Sequence, residues 1–165
     1  VKVVVDASMA IPLDAHVIEG APLLLAVAQV DPRKKEALES RGVTVMALPG
    51  RDGTVDLPAL FLELARRAMN EIHVEAGSRL NGALVRAGLA DELLAYFAPK
   101  LFGNLAIGMF AMDAPPTIEE APALAIQELC RIEEDFRVIA RFIHGPAESG
   151  HRMMGAIGTP SNEPF

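Results

Sequence analysis

The sequence predicts an α/β domain organised around a mainly parallel sheet. Three observations carry that expectation. Short β-branched runs alternate with helical patterns as far as Pro99, capping and turn residues fall between them, and two later strand-like runs flank an acidic tripeptide. Strand–helix–strand alternation implies right-handed crossovers between parallel strands, whereas a late hairpin adds antiparallel pairing, so the sheet is expected to be mixed.

The elements follow in order. "VKVVVD" at the start reads as a buried strand ending in Asp6, and "PLLLAVA" reads as a second strand after a turn-rich connection containing Pro12 and Gly20. Asp31 is placed as an N-cap, with Pro32 in the first turn of a helix that Gly42 closes from the C′ position. "VTVMAL" is a third strand. Asp56 and Pro58 open a second helix whose apolar residues Leu60, Phe61, Leu64 and Ala68 recur at helical spacing. "EIHVE" reads as a fourth strand, "SRLNGALVRAG" as a third helix and "DELLAYFAP" as a fifth strand. Beyond Pro99 the composition shifts to Gly, Pro and small residues, the mark of a long connection. "ALAIQELCRI" and "FRVIARFI" then form the expected hairpin around Glu133, Glu134 and Asp135. Residues 144–165 show no sustained period and are expected to be a tail.

Composition narrows the function classes. Fifteen basic and twenty-two acidic residues give a formal net charge of −7, with no Lys/Arg cluster, which argues against nucleic acid or an anionic membrane as partner. A single cysteine, Cys130, forms no internal disulfide and fits a reducing cytoplasm. The four histidines are scattered without ligand spacing, so no metal site is expected. Cys130 lies in a strand-like run with no paired base in view and reads as a small apolar residue.

The stretch that invites a functional reading is "IHVEAGSRLNGALV", residues 72–85. Ligands in open α/β sheets sit beyond the carboxyl ends of the strands, where turns into helices leave backbone N–H groups free. Glu75 falls at such an end. Gly77 allows close approach of the backbone, Ser78 is a candidate cap, and the first-turn amides of residues 78–81 point outward with the positive end of the helix dipole. That geometry suits a phosphate, with the Glu75 carboxylate alongside to accept hydrogen bonds from a hydroxyl or amine. On spacing alone, a plain tight turn accounts for the same residues.

The run "HVEAGSRLNGALVRAGLADELLAYFAPKLFG" resembles the signature of the C-terminal reductase domain of RibD, the bifunctional riboflavin-biosynthesis deaminase-reductase family, in which V-E-[GA]-G-x-x-L opens a helix. "VKVVVDASMAIPLDAHVI", "RGVTVMAL" and "IEEDFRVIARF" extend the likeness over residues 1–143. The resemblance implies a dihydrofolate-reductase-like fold: three α/β/α layers with a mixed, mainly parallel sheet and an antiparallel C-terminal strand. It implies NADPH-dependent reduction of 5-amino-6-(5-phosphoribosylamino)uracil to the ribityl product. It further implies a homodimer and an associated zinc deaminase domain. Carried over residue by residue, Glu75 contacts substrate, while Gly77, Ser78, Arg79, Leu80, Asn81, Gly82 and Ala83 bind the cofactor with Ala7 or Ser8. The hydride comes from the nicotinamide, so the protein supplies orientation and shielding, and no catalytic side chain is assigned.

Two departures qualify the likeness. Where the family commonly has Ser after the strand-ending Asp, this chain has Ala7, leaving Ser8 as the neighbouring hydroxyl. The family's "SLDG" and "DDP…R" elements do not occur, so residues 1–143 are expected to be a reductase domain lacking its N-terminal part. Nor does the complete deaminase signature occur, since P-C-x-x-C is missing and the H-x-E spacing of His73 and Glu75 stands without it. Two alternatives stay open: a truncated, non-catalytic assembly or dimerisation fragment, and a related reductase of this fold acting on another substrate.

Overall fold

The computed structural model describes residues 1–115 and 117–144; the tail expected beyond His144 lies outside the described residues. The described residues divide into two compact units, Val1–Leu89 with Ile107–Met112, and Ala90–Ala106 with those from Asp113 to His144.

The first unit holds a parallel sheet of order β1-β2-β3, formed by Lys2–Val5, Leu23–Val27 and Thr44–Ala47. β2 is central, and all five of its residues are buried, as expected for a parallel strand covered on both faces. Its side chains alternate between two cores. Leu23, Leu25 and Val27 pack with Met9, Ile11, Leu38 and Val43 on one side. Leu24 and Ala26 pack with Met46, Leu57, Leu60, Leu64 and Leu84 on the other. Helix α1 (Pro32–Glu39) therefore covers one face through Leu38, while α2 (Leu57–Arg66) and α3 (Ser78–Arg86) supply the buried residues of the opposite face. The unit is three layers thick.

The helix starts follow the sequence signals. The Asp31 carboxylate accepts from the backbone N–H groups of Arg33 and Lys34 at 2.9 and 3.2 Å, with Pro32 at the first helical position. Asp56 accepts from Ala59 N at 2.9 Å. Gly42 has φ +81°, the left-handed conformation that ends α1. α2 is shorter than its apolar period suggests: it stops at Arg66, and Ala68, read as helical, takes φ +58°. The N–H of Met69 bonds to Leu64 O at 3.1 Å, a helix-ending turn that the period of apolar residues does not encode.

The expected fourth strand is a second correction. Residues 71–77 carry no regular secondary structure, and among the described residues they enter no ladder. β1 pairs only with β2. A strand needs a partner about 4.8 Å away along its whole length, and here Val3, Val4 and Val5 share an open cavity with residues 71–77 instead. Of the "EIHVE" pentapeptide, Ile72 packs on the core.

The second unit is an antiparallel sheet of β4 (Glu92–Phe97), β5 (Ala123–Ile132) and β6 (Asp135–Ile143) in the order β4-β6-β5. The hairpin β5–β6 matches expectation, with Glu133 at φ +54° in its turn. β4, read as a further member of the parallel series, instead pairs antiparallel with β6 from Glu92↔Arg141 to Phe97↔Phe136. Strand periodicity shows that a strand exists; its partner is chosen by chain connectivity and packing. Parallel and antiparallel strands are thus segregated into separate sheets within one α/β chain.

A register shift between Ile126 and Glu128 adds one residue to β5. It brings Glu128 onto the face of β6 that carries Arg137, and the two form an ion pair. The Arg137 guanidinium holds the Glu128 carboxyl below the usual carboxylate range, chiefly by its hydrogen bond, with a Cys130 hydrogen bond adding to it. Arg137 is raised in turn, first by Glu128 and then by Tyr96. Because the folded-state value is depressed, the pair stabilises the sheet above the ordinary glutamate range and loses that contribution as pH falls through the folded value. Glu128→Gln is expected to lower the urea midpoint near neutrality, and the gap from the parent is expected to close in acid. A gap that persists at low pH would mean that packing, not charge, holds this corner.

Candidate functional site

The turn between residue 71 and α3 is where the first unit presents chemistry. The segment leads to Glu75, whose side chain is 86 % exposed and lies 3.5 Å from His73 Nε2. Gly77 occupies the N-cap position at φ −76°, a conformation open to any residue, and a Cβ placed there would meet nothing within 4 Å. Its contribution is therefore open space in front of the helix, not backbone freedom. Ser78, expected as a cap, is instead the first helical residue, and no side chain caps this end. The orphan N–H groups are left to the backbone geometry itself: Asn81 N makes the first helical bond, to Gly77 O at 3.1 Å. Those of Ser78, Arg79 and Leu80 find no acceptor among the described residues.

These groups border a cavity of about 820 Å³. Glu75, Gly77, Ser78, Arg79 and Leu80 line it, together with the apolar faces of β1 and α2. The remaining candidates are placed elsewhere. Ala7, just after β1, packs on the core, and its carbonyl accepts from Ala28 N and Gln29 N. Ser8 is exposed. Ala83 packs into the core, and Gly82 lies under Ala111. The Asn81 side chain is engaged with main-chain carbonyls, as described below. The structure thus brings together Glu75 and the first turn of α3 but not the whole candidate set. No group of three His, Cys, Asp or Glu side chains suited to a metal occurs among the described residues.

Sequence reasoning passed over one part of this corner. Ile107–Met112, read only as connecting loop, packs back on α3: Ala111 N bonds to Ser78 O at 2.9 Å, and Arg86 Nη1 donates to Ala111 O at 2.8 Å. Ile107 reaches the cavity wall. The available signal was Gly82. Glycine in a helix interior costs about 1 kcal/mol relative to alanine, so its presence calls for a packing reason.

A parallel sheet covered on both faces, with an acid and free helix-start amides lining a cavity beside its edge strand β1, defines an α/β domain. The particular family follows from comparison with known proteins. A sequence model of the RibD C-terminal domain matches residues 1–138, and the chain belongs to that family. It is 38% identical over 93 residues to Riboflavin biosynthesis protein RibD of Escherichia coli (strain K12), covering 56% of this chain and 25% of that protein. It is 31% identical over 85 residues to a 5-amino-6-(5-phosphoribosylamino)uracil reductase of Buchnera aphidicola, covering 52% of this chain and 41% of that protein. The chain therefore spans between a quarter and two fifths of the length of these relatives. Among solved structures, Acinetobacter baumannii RibD superposes with a TM-score of 0.71 at 22% identity over 86% of this chain and 37% of that one, which establishes a shared dihydrofolate-reductase-like fold class. No helix among the described residues is long and apolar enough to cross a membrane.

Proposed function

We propose that this chain binds NADPH at the turn following Glu75 and takes part in the reduction of 5-amino-6-(5-phosphoribosylamino)uracil to its ribityl product. The observation that carries this reading is the row of three unengaged amides, at Ser78, Arg79 and Leu80, opening beside an acid onto one cavity. An anionic group is favoured at such a helix start by both the free donors and the macrodipole. The pyrophosphate of a dinucleotide supplies that anion. The name of the Buchnera relative supports the substrate.

In this reading Gly77 leaves room for the phosphates, and the amides of Ser78 to Leu80 hold them. The Glu75 carboxylate accepts hydrogen bonds from the substrate. NADPH, when bound, supplies the hydride; the chain orients donor and acceptor and limits the access of water. Ser8 is the exposed hydroxyl available near the end of β1, whereas we assign Ala7, Gly82 and Ala83 to packing. The single cysteine fits a cytoplasmic setting, and the family resemblance implies a homodimer joined to or working alongside a deaminase domain.

Glu75→Gln separates these roles. Loss of a hydrogen bond to a charged group costs about 1.5–3 kcal/mol, which corresponds to a fall in kcat/KM for the pyrimidine substrate of about tenfold or more. NADPH affinity is expected to stay within about twofold, since glutamine preserves the local volume. Equal loss of both in steady-state kinetics and nucleotide titration would remove the division of labour.

A further inference from the structure

We propose that Asn81 is a positioning residue that holds the Glu75 turn and the Ile107–Met112 segment in one arrangement. The proposal rests on the nicotinamide reading of the turn and gives Asn81 a role other than direct contact with the cofactor. Its side-chain nitrogen donates to Ala76 O at 3.2 Å and to Met109 O at 3.3 Å. Both acceptors are main-chain carbonyls, so the amide of Asn81 must present its NH₂ group to them, and both its hydrogens are used. One bond reaches back to the residue between Glu75 and Gly77. The other reaches a residue 28 positions ahead, in the segment that crosses α3.

The second tether does not act alone. Ala111 N bonds to Ser78 O, Arg86 donates to Ala111 O, and Ala111 lies so close to Gly82 that a Cβ there would come within 2.4 Å of its oxygen. Four consecutive features of α3, at Ser78, Asn81, Gly82 and Arg86, thus receive one strap. Ile107 at the start of that strap lines the same cavity as Glu75 and the free amides. Through these two bonds the Asn81 side chain joins the Glu75 turn to the strap. Freeing it removes the side-chain tie between the turn carrying the carboxylate and the strap, which then rests on its bonds to Ser78 and Arg86, so Glu75 is held less firmly relative to the phosphate amides.

A purely structural role makes a different prediction, because alanine is the better helix former and Asn81 sits inside α3. The test compares the full chain with Asn81→Ala and Asn81→Asp, the latter keeping the volume but losing both donors. NADPH affinity is read by titration, the Ala111 amide by hydrogen exchange without ligand, and folding by thermal melting. In both variants the expected result is about a tenfold weaker NADPH affinity (~1.4 kcal/mol) and faster exchange at Ala111, with the melting temperature of Asn81→Ala held or raised. Parent-like affinity in a folded Asn81→Ala chain overturns the proposal, as does loss of affinity only in proportion to a lowered melting temperature. Absence of NADPH binding by the parent chain overturns the nicotinamide reading itself and the proposal with it.

Discussion

Gly82→Ala is expected to destabilise the first unit by about 1–3 kcal/mol or more, despite replacing glycine by the best helix former. The added Cβ would meet Ala111 O at 2.4 Å, its carbonyl carbon at 2.9 Å and its nitrogen at 3.1 Å. These are backbone atoms, held by the bonds to Ser78 and Arg86, and cannot rotate aside as a side chain would. Either α3 shifts or the strap lifts, and lifting it breaks the Asn81 and Arg86 bonds together. The gain in helix propensity, about 1 kcal/mol, is smaller than the clash. Denaturant titration of the parent and variant checks the sign: a variant as stable as the parent would show that the strap is loosely held. NADPH affinity should fall as well, because the wall that Ile107 contributes moves with the strap.

The larger loss is expected at Leu25→Ala, about 2–5 kcal/mol. Leu25 is fully buried in the central strand and packs with Met9, Leu38 and Val43 on the face away from α2 and α3. β2 is hydrogen-bonded on both sides, so the surrounding backbone has little freedom to close the cavity. The residue lines no part of the Glu75 cavity. Measured at a temperature where both proteins are folded, NADPH affinity should therefore remain near that of the parent while the unfolding midpoint drops. A small midpoint change would mean that the α1 layer can collapse onto the sheet.

These two residues also show what was legible in the sequence. The run around Leu25 is continuous and apolar, and it is a buried parallel strand flanked by helices whose caps, Asp31 and Asp56, do what their positions suggest. Local signals of this kind report on residues near in sequence. The pairing of β4 with β6, the unladdered 71–77 segment and the strap over Gly82 depend on contacts between distant residues, which periodicity does not encode. The same division holds at the site. Glu75 and the helix start were visible as a motif, whereas the engagement of the Asn81 side chain and the burial of Gly82 were not, because both depend on a segment nearly thirty residues away. The likeness to the RibD reductase family assigned residues 77–83 to cofactor binding as one block; the geometry separates open amides from packing positions within it.

The claim on which the function rests is that the first-turn amides of α3 hold the cofactor's phosphates. Backbone amide NMR shifts followed during addition of NADPH test it most directly. The account predicts saturable shifts largest at Ser78, Arg79 and Leu80, with smaller ones at Gly77 and Glu75. NADPH binding that leaves those three amides unmoved while perturbing another part of the chain would contradict it.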